Sequence, residues 1–178
     1  MDFDDHTPRE KAEETKRKWF VEVGERFGNC GFIAYVGDKP VGFAQYAPAG
    51  FFPSTSKYGS LILSGDAVFL ACLYIPEREL RGRGIGKQLF EKVASDLRNR
   101  GYKAVEAFAR TSDSPSDNIP DWYTGPLEFF LRIGFRIKKK NGQIALVRKE
   151  LEQKLRNKKA GNQNSDTYFA IDYELGRT

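Results

Sequence analysis

A chain of 178 residues with 40% hydrophobic and 30% charged residues has room for one globular domain with a full core. No apolar run approaches the roughly 20 residues of a membrane span, and the charged N-terminus lacks the apolar centre of a signal peptide, so a cytoplasmic protein with no membrane partner is expected. The formal charge of +5 admits an anionic ligand, whereas a lone histidine, His6, and two cysteines without metal spacing leave His-based triads and zinc chemistry without support.

Thr7-Pro8-Arg9-Glu10 reads as a capping box. Behind it Ala12, Trp19, Phe20, Val23 and Phe27 share one helical face, predicting a helix to about Arg26, ahead of Gly28. Cys30 to Val36 and Val41 to Ala47 are strand-like and joined by Gly37-Asp38-Lys39-Pro40, a hairpin pattern. The stretch from Pro48 to Ser60 is too long for a simple turn; its Phe51, Phe52 and Tyr58 either line an acceptor pocket or pack on the sheet. Leu61 to Leu63 is expected to form a short extra strand, with Ser64-Gly65-Asp66 as the turn after it.

Ala67 to Ile75 is an unbroken apolar run, short enough for a buried strand, and Pro76 forbids a further ladder bond. The next residues are basic and glycine-rich: Arg81-Gly82-Arg83-Gly84-Ile85-Gly86-Lys87. Ile85, Leu89, Val93 and Leu97 then recur at helical spacing, with Gly101 as the stop. A strand, a glycine loop and a helix N-terminus in this order make an anion site, because backbone N–H groups and the positive end of the helix dipole converge there. It is not a phosphate loop of the Gly-x-x-x-x-Gly-Lys-Ser/Thr type, since Arg81 stands at the first glycine and Gln88 at the hydroxyl position. The dinucleotide pattern Gly-x-Gly-x-x-Gly fails too, with Lys87 at its last glycine.

Ala104 to Ala109 reads as a second buried strand, parallel to the first because a helix connects them in a right-handed crossover. Arg110 to Gly125 is a polar loop, read as a lid, and Pro126 to Ile133 a short helix ended by Gly134. Phe135 to Lys140 and Gln143 to Arg148 flank Asn141-Gly142, a two-residue hairpin signal. Lys149 to Lys159 is expected to be a charged helix. The apolar tail from Asp166 to Leu175 must find a strand to pair with, either at an edge of its own sheet or in a homodimer. The domain is therefore drawn over residues 1–159, with 160–178 as an extension carrying an added or exchanged strand.

Arg81-Gly82-Arg83-Gly84-Ile85-Gly86 resembles motif A of the GNAT family of N-acetyltransferases, (Arg/Gln)-x-x-Gly-x-(Gly/Ala). Two further features add to the resemblance: the Ile75-Pro76 strand end, and Phe129-Phe130-Leu131-Arg132-Ile133-Gly134-Phe135 against the later signature Phe-Tyr-x-x-x-Gly-Phe. The resemblance implies an α/β single domain with a mixed, mostly antiparallel sheet, two splayed parallel strands and helices on both faces. It implies that the loop wraps the pyrophosphate of acetyl-CoA through Arg81, Gly82, Arg83, Gly84, Ile85, Gly86 and Lys87. It further implies that the pantetheine arm pairs with backbone at Cys72, Leu73, Tyr74 and Ile75, where an amide faces the thioester carbonyl. Family members usually have a strand before the first helix; only Met1 to His6 are left for one here.

The activity so implied is acetyl transfer from acetyl-CoA to a primary amine, on a small molecule or a peptide, without a metal. Two departures bear on catalysis. The glutamate that the histone-modifying branch carries early on the strand maps to Val68, leaving Asp66, or Glu77 and Glu79 beyond the strand, as candidate bases beside a water chain. The tyrosine that commonly protonates the thiolate maps to Phe130, and Tyr123 is the nearest substitute. Cys72 reads as a small core residue rather than a nucleophile. The competing readings are a CoA-binding sensor or interaction module without transferase activity and, less favoured, nucleic-acid binding through Arg136 to Lys140 and Lys149 to Lys159.

Overall fold

The computed structural model of the protein describes residues 9–111, 125–152 and 167–170. In chain order these form α1 (Arg9–Arg26), β1 (Gly31–Val36), β2 (Lys39–Pro48), β3 (Ala67–Tyr74), α2 (Ile85–Asn99), β4 (Ala104–Arg110), β5 (Gly125–Pro126), α3 (Leu127–Arg132), β6 (Arg136–Asn141), β7 (Ile144–Glu150) and β8 (Thr167–Ala170). The sheet runs β6-β7-β4-β3-β2-β1-β8, with the short β5 pairing β4 off this path. β3 and β4 are parallel because α2 carries the chain back between them, whereas the β1–β2 and β6–β7 hairpins and the β2–β3 and β4–β7 pairs are antiparallel.

Two apolar layers hold the sheet. On one face α2 buries Ile85, Leu89, Phe90, Val93, Ala94 and Leu97 against Val68, Leu70, Val105 and Val147. Each such side chain contributes about 1.5–3 kcal/mol of transfer free energy. On the other face Trp19 and Val23 of α1 pack with Phe52, Phe69, Phe108 and Leu146. Phe52 meets Phe69 edge-on at 5.3 Å and Tyr58 stacks on Phe108 at 4.1 Å. The segment after β2 thus folds into two short 3-10 turns, Ala49–Phe51 and Pro53–Tyr58, and Phe52 and Tyr58 serve as cover for the sheet.

Several expectations shift. Val36 pairs with Lys39 and Asn141 with Ile144, so the turns are the two-residue Gly37-Asp38 and Gly142-Gln143. Gly37 (φ 55°) and Gly142 (φ 57°) supply the positive φ that such turns need at their first position. Leu61 to Leu63 is not a strand: Leu61 is buried in the α1-side core, and the Ser64 N–H and hydroxyl bind the Glu106 carboxylate at 2.7 and 2.8 Å, which holds this segment by side chains instead of a ladder. Lys149 and Glu150 belong to β7, whose ladder with β4 extends to Ala104↔Glu150, so no helix starts there; residues 153–159 lie outside the described residues. So do Thr7 and Pro8 of the capping box, Met1 to His6, and 112–124 of the expected lid.

The C-terminal segment finds its edge within the chain. β8 pairs antiparallel with β1, from Val36↔Thr167 to Ile33↔Ala170, so the edge offered by β1 is covered by its own tail and this pairing needs no partner chain.

Candidate functional site

The parallel pair β3–β4 is hydrogen-bonded over only three positions, Ala67↔Ala104, Val68↔Val105 and Phe69↔Glu106. Beyond these, β3 stays with β2 as far as Phe43↔Tyr74 and β4 stays with β7 as far as Arg110↔Ile144. Each strand follows its outer neighbour, and a wedge opens between them with the inner backbone edges free of each other. Within it β3 carries a bulge: Gln45 pairs with Cys72 but Tyr46 with Leu70, leaving Ala71 as the extra residue. The bulge reverses the alternation of side chains, so Ala71 and Cys72 both face α1 and Leu73 turns to the α2 side, where it meets Gly86.

At the open end of the wedge the chain leaves β3, passes a 3-10 turn at Arg78–Leu80 and enters α2 through Gly84. Gly82 (φ 76°) and Gly84 (φ 85°) are in the left-handed region; nothing lies within 4 Å of a Cβ at Gly82, and only the Gln88 Nε2, at 4.0 Å, at Gly84. Gly84 is the N-cap of α2 and provides no side-chain cap. The first helical bond runs from the Gln88 N–H to the Gly84 carbonyl at 3.0 Å. The N–H groups of Ile85, Gly86 and Lys87 are thus left without intrahelical acceptors, and they point with the helix dipole toward the wedge mouth. Arg83 and Lys87 are exposed. Backbone donors, a positive dipole and open space suit a pyrophosphate.

The third glycine differs from the other two. A Cβ on Gly86 would meet Leu73 Cδ2 and Phe129 Cε2, each at 3.3 Å, so Gly86 lets the first turn of α2 close on β3 and α3 and its substitution acts on packing. Arg81 also behaves differently from a direct ligand. Its Nε donates to the Ile75 carbonyl at 2.9 Å and its Nη2 to the Pro76 carbonyl at 3.2 Å, closing the corner between strand and loop. Arg81→Ala is accordingly expected to weaken CoA binding about three- to tenfold, by loosening this corner and removing one positive charge beside the loop. Lys87→Ala, which removes an uncommitted charge, should flatten the salt dependence; calorimetric titrations across a salt series test both.

Of the residues expected to do chemistry, few meet at the wedge. Burial pushes the Cys72 thiol up to about 11, with the Lys16 cation pulling the other way, and burial likewise lifts Cys30 to about 11. Both are protonated at neutral pH and neither is an activated nucleophile. Asp66 does not reach the wedge. It precedes β3 at the closed end, six residues before Cys72, ~20 Å along an extended strand. Its carboxylate takes two bonds from Arg148 at 2.9 and 2.8 Å, which hold its carboxyl below the usual range. Glu77 is paired with Lys39 at 3.3 Å. Phe130 is 4% exposed and packs on Phe135 at 5.2 Å, a hydrocarbon wall with no proton to give. Tyr123 lies outside the described residues.

Two features escaped the sequence reading. Glu106, fully buried at the apex of the wedge, is bound by Ser64, Lys138 at 3.0 Å and Arg148 at 3.2 Å; a single acid in the apolar run Ala104 to Ala109 was its only trace. Phe43 and Tyr74 pair across β2 and β3 at 6.1 Å. The basic residues of β6 are partly spent inside the fold, Lys138 on Glu106 and Lys139 on the Ser60 carbonyl at 3.0 Å. A groove of about 630 Å³ beside Arg98, Arg136 and Lys149 and another of about 510 Å³ between α1 and Pro48 to Pro53 both lie away from the glycine loop.

A family model described as the acetyltransferase (GNAT) family matches residues 2–123. The chain is similar to the solved PaiA N-acetyltransferase of Thermoplasma acidophilum in complex with coenzyme A, at 14% identity over 82% of this chain and 80% of that one, with a TM-score of 0.50. It is also similar to an N-acetyltransferase from Staphylococcus aureus, at 16% identity over 83% and 81% of the two chains, with a TM-score of 0.52. At these identities the likeness is one of fold. No curated protein matches the chain.

Proposed function

Because the chain belongs to the GNAT acetyltransferase family, we propose that it moves an acetyl group from acetyl-CoA to a primary amine by direct attack. The observation that carries this reading is the open β3–β4 wedge ending at the uncapped N-terminus of α2. The donors from Gly82 to Lys87 hold the pyrophosphate. The inner edge of β3 from Cys72 to Tyr74, with Ile75 just beyond it, pairs with the pantetheine arm, and an N–H of that edge faces the thioester carbonyl as it becomes an oxyanion. The amine lone pair attacks the carbonyl carbon, the C–N bond forms, the C–S bond breaks, and CoA leaves as the thiolate. Glu77 pairs with Lys39 and Glu79 is exposed on the turn after β3, so water takes the ammonium proton. An alkyl thiolate, with a thiol pKa of about 8.5, can leave unaided or with a proton from Tyr123.

Two measurements test the reading: calorimetric titration with acetyl-CoA, then thiol release against a panel of amines. Binding followed by release supports transfer. Binding without release across the panel favours the second reading, a CoA-binding sensor or interaction module, for which the packing of Phe130 on Phe129 and Phe135 speaks. For the acid, Tyr123→Phe is expected to lower kcat about 10–100-fold with the acetyl-CoA dissociation constant unchanged, because a proton supplied late in the reaction is a transition-state interaction. Full turnover in that variant leaves the thiolate departing unaided.

A further inference from the structure

Phe43 and Tyr74 are 37% and 47% exposed, although β2 and β3 are interior strands of the sheet. Their exposure therefore comes from an uncovered sheet face and not from an edge. They stand directly opposite one another in the ladder with ring centroids 6.1 Å apart at 63°. The face they occupy follows from the bulge. Ala71 packs in the α1-side layer, Cys72 falls on the same side within reach of the Lys16 charge, and alternation places Tyr74 there, with Gln45 and Phe43 opposite Cys72 and Tyr74. The bare patch is thus continuous with the rim of the wedge, on the face away from α2.

Building on the transferase reading, we propose that this patch receives the acceptor and that the acceptor is an amine carrying a flat, apolar ring. Tyr74 lies two residues past Cys72, ~7 Å along the strand, so a ring seated on the aromatic pair needs only a short tether to bring its nitrogen to the thioester. Edge-to-face and offset contacts with two rings favour a planar body. The charge around the patch disfavours polycationic acceptors. The Lys16 charge acts on Cys72 from the α1 side, the Arg81 guanidinium lies 5.9 Å from the Tyr74 ring, and one oxygen of Glu77 is paired with Lys39 at 3.3 Å.

The test compares phenethylamine, spermidine and a lysine-containing peptide as acceptors by thiol release, and measures the binding of each to the CoA-saturated protein by calorimetry. Phenethylamine is expected to lead the other two by about tenfold or more in kcat/KM. Phe43→Ala is expected to reduce the phenethylamine-to-spermidine ratio about tenfold while the CoA dissociation constant, which reports folding, stays within twofold. Phe43→Tyr, which keeps a ring, should preserve the ratio. Preference for spermidine or the peptide, or an unchanged ratio in Phe43→Ala, overturns the proposal and leaves the transferase reading intact. If CoA binds and no amine is acetylated, the transferase reading fails instead. Calorimetry then decides the patch: phenethylamine binding that Phe43→Ala removes supports ring recognition, and no binding overturns it.

Discussion

Gly84→Asp is expected to abolish coenzyme A binding, by at least about 100-fold, in a protein that still folds. Gly84 is the N-cap of α2 at φ 85°. A carboxylate there would do what aspartate does at any N-cap, accepting hydrogen bonds from the N–H groups of the first turn and lying against the positive end of the dipole. It would fill the open space above the loop and consume the donors that the pyrophosphate requires, while its charge repels what remains. The left-handed backbone costs a non-glycine residue about 1–2 kcal/mol, and the cap offsets about 1 kcal/mol of that, so the melting temperature should move by only a few degrees. Gly84→Asn separates charge from occupancy, since it caps without repulsion and should retain part of the affinity. Calorimetric titration with CoA measures all three proteins, and unchanged affinity in Gly84→Asp would remove the basis for placing the pyrophosphate on this helix. Gly86→Asp should fail differently, losing stability as well as binding, because its Cβ meets Leu73 and Phe129.

Glu106→Ala is expected to be the most destabilising of the substitutions considered, by about 3–5 kcal/mol, a fall in melting temperature of roughly 6–20 °C for a chain of this size. The carboxylate has no exposed surface and joins four parts of the chain: β4 itself, the Ser64 turn before β3, Lys138 of β6 and Arg148 of β7. Its removal frees the Ser64 N–H and hydroxyl and leaves a cavity at the apex where β3 and β4 are last paired. Burial raises the carboxyl, but the bonds from Ser64, Lys138 and Arg148 outweigh it and hold the carboxyl below its ordinary range. A folded-state pKa below the unfolded one stabilises fully above the unfolded value of about 4.3, and that contribution is lost as the pH falls through the folded value. The charge-dependent part of the gap between wild type and Glu106→Ala should therefore be constant from pH 5 to 7 and narrow below about pH 4, leaving the packing part. Thermal unfolding of both proteins across pH 3–7 tests this; a gap independent of pH would assign Glu106 a packing role alone.

Motif A could be read from the chain because its determinants are local. A glycine that must take positive φ, a proline that ends a strand and apolar residues at four-residue spacing each act over one turn or one strand, and α2, the loop and the β3–α2–β4 crossover follow from them. The same locality explains the small displacements, such as the turn at Gly142-Gln143, where only the ladder partner of Asn141 decides the register. What the tertiary structure alone decided are the features made by residues far apart in sequence. The wedge exists because β3 follows β2 and β4 follows β7, a competition that leaves no pattern in either strand. The extra residue at Ala71 turns Cys72 and Tyr74 toward α1, and one inserted residue reverses every side chain after it without altering the composition of an apolar run. Leu61 lost its strand because Glu106, more than 40 positions later, captures Ser64. The C-terminal segment is apolar enough to demand an edge, but that the edge is β1 depends on a pairing between Tyr35 and Tyr168, which only the folded chain brings together.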